Sequence, residues 1–200
     1  MFDTLLRQIK DRLFASVAKM LNIPPNLVTA FSLILGGLTI SCILKKLYLV
    51  SLIFWILNRF FDGLDGAIAR AHQRQTDLGG YLDILSDFMI YAAIPISLVV
   101  NSPTMERYFY LTLMISTFYV NAASWMYLSA ISEKQAQESK TSREDTTVIM
   151  PSGLIGGMET ILMYSLFFVI PERIAALFSI MSILAGLTIC QRLIWAMVKL

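Results

Sequence analysis

The chain has 200 residues, of which 56% are hydrophobic and 15% are charged, and its formal net charge is +2. An ordinary soluble domain has about 25% charged residues, so this composition excludes that class, and the small net charge gives no support for nucleic-acid binding. Several apolar stretches of about 20 residues are long enough to cross a hydrocarbon core of about 30 Å. We therefore predict an all-α, polytopic membrane protein with a single membrane domain over residues 1–200.

The first predicted element is an amphipathic helix over residues 1–22, whose apolar side chains recur at helical spacing. Its charged residues fall largely on another face, a pattern typical of a helix that lies on a membrane surface. A helix that packs its apolar face on the rest of the protein fits the pattern equally well. The segment lacks an uninterrupted apolar core, so we do not expect a cleavable signal peptide.

Six transmembrane helices are predicted to form one bundle over residues 26–200. Their approximate ranges are 26–44, 47–70, 78–100, 108–131, 151–170 and 174–200. Residues 132–149 are predicted to form the only long polar loop. Six spans put both termini on one side of the membrane, and more lysines and arginines lie on that side. The positive-inside rule therefore predicts that the termini and the long loop are cytoplasmic.

Four aspartates fall where the second span ends and the third begins, between strongly apolar flanks. A carboxylate at membrane depth costs about 3 kcal/mol or more, so four of them need compensation. Asp62 and Asp65 are one helical turn apart, and Gly79, Asp83 and Asp87 recur every four residues on the next helix. Because a short loop joins the two spans, we expect the two carboxylate faces to converge near the cytoplasmic surface.

Oxygen-only ligation suits Mg²⁺ or Mn²⁺ rather than zinc. Four carboxylates leave room for two divalent ions, and a two-metal site favours displacement at phosphorus. Gly66 and Gly79 leave bare helix surface for a bulky ligand, and Arg70 offers a fixed positive fork for phosphate. Together these residues predict a substrate that contains pyrophosphate.

The segment from Asp62 to Asp87 resembles the signature D-x2-D-G-x2-A-R-x8-G-x3-D-x3-D of the CDP-alcohol phosphotransferase (CDP-alcohol phosphatidyltransferase, class I) family. Every fixed position is filled, by Asp62, Asp65, Gly66, Ala69, Arg70, Gly79, Asp83 and Asp87. The length and the predicted six spans are also similar to those of the smaller bacterial members. The resemblance implies a phospholipid-synthesising transferase that moves a phosphatidyl group from a CDP-linked donor to an alcohol and releases CMP.

The resemblance also implies a role for each matched residue. In the family, the first three aspartates hold two divalent ions on the donor pyrophosphate, and here these are Asp62, Asp65 and Asp83. The fourth, here Asp87, also touches metal and acts as the general base toward the acceptor hydroxyl. Family positions that line the donor pocket, including a weaker feature at the first span, correspond here to Asn26, Thr29, Gly66, Ala69, Arg70 and Gly79.

Further expectations concern partners and location. Small bacterial members commonly use CDP-diacylglycerol, so the resemblance implies this donor, and it also implies a homodimer. The acceptor stays open among glycerol 3-phosphate, an inositol phosphate, serine and a lipid headgroup. The expected location is the bacterial inner (cytoplasmic) membrane, with the active site on the cytoplasmic side.

A second polar group marks a candidate acceptor site. At about 1.5 Å per residue, several polar residues lie about as deep below the cytoplasmic helix ends as Asp62 and Asp87. Because intramembrane ionisable residues usually face the bundle interior, we predict that they line the acceptor pocket, with one loop arginine above them. The predicted residues are Asn121, Arg143, Glu159 and Arg192. A structural ion pair between Glu159 and Arg192 would explain two of them equally well.

Two other functions are compatible with intramembrane aspartates. An intramembrane prenyltransferase also uses aspartates and Mg²⁺ on pyrophosphate, but its chain is longer and its aspartates are differently spaced. A divalent-cation transporter would use the carboxylates as an ion path, but this function leaves the spacing of the glycines and Arg70 unexplained.

Three other residues have simpler interpretations. We expect His72 to be a solvated loop residue, Asp77 to cap the third span, and Trp55 to face lipid or anchor at the membrane interface.

Overall fold

The computed structural model describes residues 14, 16–142 and 153–200, and the described residues form helices and no β-strand. A helical segment over residues 16–20 precedes the longer helices. These are α1 (Pro25–Leu44), α2 (Tyr48–Ala71), α3 (Asp77–Asn101), α4 (Met105–Ser142), α5 (Gly157–Val169) and α6 (Ile174–Lys199), with a short 3₁₀ turn at Pro171–Arg173. The predicted all-α fold is confirmed.

Three helical stretches are long and apolar enough to cross a membrane within the described residues: Pro25–Leu44, Asp77–Asn101 and Pro171–Lys199. Helix α2 has sufficient length, but it carries two aspartates and two arginines. Helix α5 is apolar but has only 13 residues, which rise about 20 Å and fall short of a hydrocarbon core of about 30 Å. The count of six spans and the sidedness therefore stay predictions.

Two predicted boundaries are wrong. Helix α4 continues to Ser142, so residues 132–142 are not the loop that we predicted. Their glutamates, lysines, glutamines and alanine favour a helix despite their polarity. Helix α5 begins at Gly157 rather than near residue 151, because the glycines that precede it each disfavour a helix by about 1 kcal/mol relative to alanine.

The described residues form two compact units. The first comprises the described part of Met1–Thr104 together with Tyr164–Glu172, and the second comprises the described parts of Met105–Met163 and Arg173–Leu200. In the first unit α1 packs against both α2 and α3, and in the second α4 packs against α6. The helices that carry the four aspartates therefore share one unit and one central partner, α1.

Helix α1 brings α2 and α3 together through close contacts. A Cβ atom at Gly36 would overlap the Ile90 side chain of α3, so the close approach depends on glycine unless Ile90 shifts. On the other side, the buried Asn58 of α2 donates a hydrogen bond from Nδ2 to the Ser32 carbonyl of α1 at 2.7 Å. These contacts fix the positions from which α2 and α3 present their aspartates.

The segment that precedes α1 packs on the first unit. Ala18 is fully buried in a small apolar cluster that includes Ile68 of α2. His72, at the end of α2, places Nε2 2.9 Å from the Ala18 carbonyl oxygen and 3.1 Å from that of Leu21. The prediction that His72 is a solvated loop residue is therefore wrong. Most of the predicted surface helix lies outside the described residues.

Candidate active site

A pocket lies where α1 begins, α2 ends and α3 begins. Asp65 of α2 and Asp83 of α3 both line it. The residues predicted to bind the donor line it as well, namely Asn26, Thr29, Gly66, Ala69, Arg70 and Gly79. The fold thus brings together residues from three helices that are separated by up to 57 positions along the chain, from Asn26 to Asp83.

The two aspartates in the pocket differ in their hydrogen bonds. Asp65 is 4% exposed, and its Oδ2 accepts a hydrogen bond from the Thr29 hydroxyl of α1. Asp83 Oδ1 is buried and receives no hydrogen bond from any described residue. A buried carboxylate oxygen without a partner is costly, so Asp83 is a strong candidate for contact with a bound cation.

The other two aspartates are held by an arginine. Arg59 Nη1 lies 2.7 Å from Asp87 Oδ1 and 3.6 Å from Asp62 Oδ2. The Arg59 side chain is 7% exposed, and the charge-assisted bond to Asp87 joins α2 to α3. The aspartates therefore divide into a pair that lines the pocket and a pair that Arg59 binds.

Further contacts fix the Arg59 guanidinium. Its Nε donates to Asn58 Oδ1 at 2.8 Å, and its Nη1 lies 3.2 Å from the Tyr91 hydroxyl oxygen. Its central carbon lies 4.9 Å from the ring centroids of both Trp55 and Tyr91, within the range of a cation–π interaction. Trp55 is fully buried, so the expectation that it faces lipid or the interface is wrong.

Sequence reasoning missed Arg59, although its position in the sequence indicates a role beside the aspartates. A charge within an apolar run, three residues before Asp62, lies on the same helix face as that aspartate. It also missed Arg74, Gln75 and Thr76, which line the pocket from the turn between α2 and α3. Their position between the two halves of the motif was the available signal.

The start of α3 is capped by Thr76 and not by Asp77 as predicted. Thr76 Oγ1 accepts a hydrogen bond from Gly79 N at 3.0 Å. A Cβ atom at Gly79 would lie 3.0 Å from Thr76 Oγ1 and 3.3 Å from Asn26 Oδ1. Glycine at this position therefore lets Asn26 and the helix cap approach each other across the pocket wall.

Arg70 folds back along its own helix. A Cβ atom at Gly66 would lie 3.2 Å from Arg70 Nη1, so the bare glycine surface accommodates the guanidinium. Both residues line the pocket with Asp65. The pocket wall thus combines a carboxylate that can hold a cation with a guanidinium that can bind phosphate.

Within the described residues, no group of three or more histidine, cysteine, aspartate or glutamate side chains is arranged to hold one metal ion. The oxygen atoms of the aspartate cluster are nevertheless suitable ligands for a divalent cation. The cluster offers oxygen atoms only, and Asp83 Oδ1 is buried without a hydrogen-bond donor among the described residues. Arg59 pairs with Asp62 and Asp87 only, so the Asp83 carboxylate oxygen stays available to a cation.

The candidate acceptor residues fall in the second unit. Arg192 is 6% exposed, and its Nη1 donates to the Asn121 carbonyl oxygen at 3.1 Å and to Asn121 Oδ1 at 2.8 Å. Glu159 is exposed, and its Oε2 accepts a hydrogen bond from Gly156 N at 3.0 Å. The structure thus brings Asn121 and Arg192 together, whereas Arg143 lies outside the described residues.

Residues 22–198 match the sequence profile of the family described as CDP-alcohol phosphatidyltransferase. The chain belongs to the CDP-alcohol phosphatidyltransferase family. This family transfers phosphatidyl groups, and it is generally dependent on divalent metal ions. The resemblance carried by the aspartate motif is therefore confirmed over nearly the whole chain.

The chain is also similar to three individual proteins. Inner membrane protein YnjF of Escherichia coli (strain K12) is 30% identical over 174 residues, which cover 87% of this chain and 82% of that protein. A bifunctional IPC transferase and DIPP synthase of Thermococcus kodakarensis is 32% identical over 83 residues, 40% of this chain and 19% of that protein. An uncharacterized protein of Aquifex aeolicus is 33% identical over 66 residues, 33% of this chain and 34% of that protein. With its long apolar helices, the chain is an integral membrane protein.

Proposed function

We propose that the protein transfers a phosphatidyl group from CDP-diacylglycerol to an alcohol acceptor and releases CMP. The observation that carries this proposal is the pocket in which Asp65, Asp83 and Arg70 line one space together with the other residues of the motif. A site that combines carboxylates with a guanidinium suits a pyrophosphate bridged by cations. The relative from Thermococcus kodakarensis is itself named a transferase, which supports group transfer.

The donor would lie against the bare surface of the pocket. Arg70 would bind a phosphate oxygen of the donor, since its guanidinium can form paired hydrogen bonds. Asn26, Thr29, Ala69 and Gly79 would contact the rest of the CDP group. A lipid-linked donor suits a site among membrane helices, because its acyl chains can stay in the bilayer.

Asp62, Asp65, Asp83 and Asp87 would hold two Mg²⁺ or Mn²⁺ ions. Bound ions would neutralise the pyrophosphate charge and stabilise both the attacking and the leaving oxygen. The support from this chain is Asp83 Oδ1, which has no hydrogen-bond partner among the described residues, and the Thr29 hydrogen bond, which fixes the orientation of the Asp65 carboxylate.

Asp87 would act as the general base. Its carboxylate would take the proton from the acceptor hydroxyl, whose oxygen forms a bond to the phosphorus farther from cytidine. The bond from that phosphorus to the bridging oxygen breaks, and CMP leaves with the electron pair. Asp87 then releases the proton to water, so the products are CMP, a phosphodiester and one proton, and atoms and charge balance without a further reactant.

Asn121, Arg143, Glu159 and Arg192 would serve the acceptor. Arg192 Nε is buried and has no hydrogen-bond partner among the described residues, which favours an acceptor that carries an anionic or oxygen-rich group. Glycerol 3-phosphate and an inositol phosphate fit this chemistry best among the candidate acceptors. We also expect a homodimer, which a mass measurement of the detergent-solubilised protein would test.

CMP release is the direct test of this function. Purified protein is incubated with CDP-diacylglycerol, Mn²⁺ and each candidate acceptor, and CMP is measured by mass spectrometry. We expect acceptor-dependent CMP release, and we expect Asp87→Asn to lower it about 10²- to 10⁴-fold while CDP binding is retained. If no acceptor yields CMP and protein-containing vesicles conduct Mn²⁺, the transporter alternative replaces this proposal.

A further inference from the structure

The Arg59 guanidinium is a cation built into the aspartate cluster. It is buried against the rings of Trp55 and Tyr91, and it binds carboxylates from two helices. A lysine ammonium cannot reproduce this arrangement, since the planar fork donates to Asn58 from Nε and to Asp87 from Nη1 at the same time. The site is therefore shaped for an arginine specifically.

The Arg59 guanidinium contacts the same carboxylates that would bind the divalent ions. Asp62 and Asp87 are both ligands in the proposed two-ion site, and both pair with Arg59 in the structure. Without a cation, two carboxylates this close in a region of low dielectric would repel each other. Arg59 supplies that compensation, and the ion pair uses Asp87 Oδ1 and leaves Oδ2 outside it.

We propose that Arg59 is a positioning residue that holds Asp87 by one oxygen and keeps the Asp62–Asp87 pair together when no divalent ion is bound. This inference rests on the proposed function, in which Asp87 is the base. It assigns the ordering of the base to the protein itself and not to the ions. The cluster would then be preformed before ions and donor arrive.

The test measures stability and kinetics of Arg59→Gln and Arg59→Lys. Thermal unfolding of the purified full-length variants is followed in EDTA and in excess Mg²⁺. We expect Arg59→Gln to have a lower Tm than wild type in EDTA, and to gain more on addition of Mg²⁺, because the ion then replaces the missing guanidinium. Arg59→Lys keeps the charge but loses the fork, so we expect an intermediate gain.

Kinetics separate positioning from general loss of structure. In CMP release, we expect Arg59→Gln to lower kcat about 10²-fold with an unchanged KM for CDP-diacylglycerol, since the base is misplaced but the pocket is intact. Arg173→Gln removes an exposed arginine at the turn before α6 and serves as the control. We expect this variant to have the wild-type Tm both in EDTA and in excess Mg²⁺.

Two results would overturn the inference. One is a gain in Tm on addition of Mg²⁺ that equals the wild-type gain in both Arg59 variants, and the other is an unchanged kcat. If Arg59→Gln does not fold, Arg59→Lys alone decides by the same two criteria. Should wild-type protein release no CMP, the proposed function fails, and the Tm comparison in EDTA and Mg²⁺ then judges the role of Arg59 independently.

Discussion

The Tyr164 hydroxyl donates a hydrogen bond to the backbone carbonyl of Tyr91 at 2.6 Å. That carbonyl lacks its usual helical donor because residue 95, four positions later in α3, is a proline without an N–H group. The Tyr164 ring also stacks on Trp55 with a centroid distance of 5.4 Å. A gap in the α3 hydrogen bonds is thus closed by a residue of α5, next to the ring that packs on Arg59.

A double-mutant cycle tests this relationship. Tyr164→Phe keeps the ring but leaves the Tyr91 carbonyl unpaired, so we expect it to lower the free energy of unfolding by about 1–3 kcal/mol. In a Pro95→Ala background the alanine N–H can bond the same carbonyl, so the cost of Tyr164→Phe should shrink. Chemical denaturation in detergent measures both. If Tyr164→Phe lowers the free energy of unfolding equally in both backgrounds, the Tyr164 hydroxyl does not compensate for the missing N–H group of Pro95.

Thr29 should control the Asp65 carboxylate. Thr29→Val has nearly the same shape but cannot donate to Asp65 Oδ2, so the carboxylate loses the bond that orients it. We expect Mn²⁺-dependent CDP binding to weaken about tenfold, which corresponds to about 1.4 kcal/mol. Thr29→Ser keeps the hydroxyl and should bind nearly as wild type. Titration calorimetry measures the affinities, and equal affinities for the two variants would refute the role.

The two adjacent glycines at the start of α3 should respond differently to alanine. A Cβ atom at Gly79 meets Thr76 Oγ1 and Asn26 Oδ1, whereas one at Gly80 meets nothing within 4 Å. We expect Gly79→Ala to weaken CDP binding more than Gly80→Ala does. Gly80→Ala should raise the Tm, because alanine favours a helix by about 1 kcal/mol over glycine. Identical effects in binding and unfolding assays would rule out the close approach at Gly79.

Arg192 separates an acceptor role from a structural one. We expect Arg192→Gln to raise the KM for the acceptor about tenfold or more and to leave the KM for the donor unchanged, since a hydrogen bond to a charged group contributes about 1.5–3 kcal/mol. Steady-state CMP release at varied acceptor concentration measures this change. Loss of folding with no specific change in acceptor KM would show that Arg192 only supports Asn121.

Much of the candidate site follows from the motif spacing. Helical periodicity puts Asp62 and Asp65 on one face, and the short loop after α2 returns the chain so that Asp83 lies near them. The predicted donor residues accordingly all line one pocket. The end of α4 and the start of α5 were predicted less well. Polar residues with high helix propensity have the low apolarity that is typical of a loop, and glycines next to apolar residues do not interrupt an apolar stretch.

The amino-acid sequence by itself determined the helical membrane class, the family and the motif residues that line the pocket. It did so because apolar length and residue spacing are local properties of the chain. Only the tertiary structure decided how the four aspartates divide. Asp65 and Asp83 line the pocket, whereas Asp62 and Asp87 bind Arg59. That division depends on side chains from two helices that meet only when both pack on α1, and no spacing along one helix encodes it.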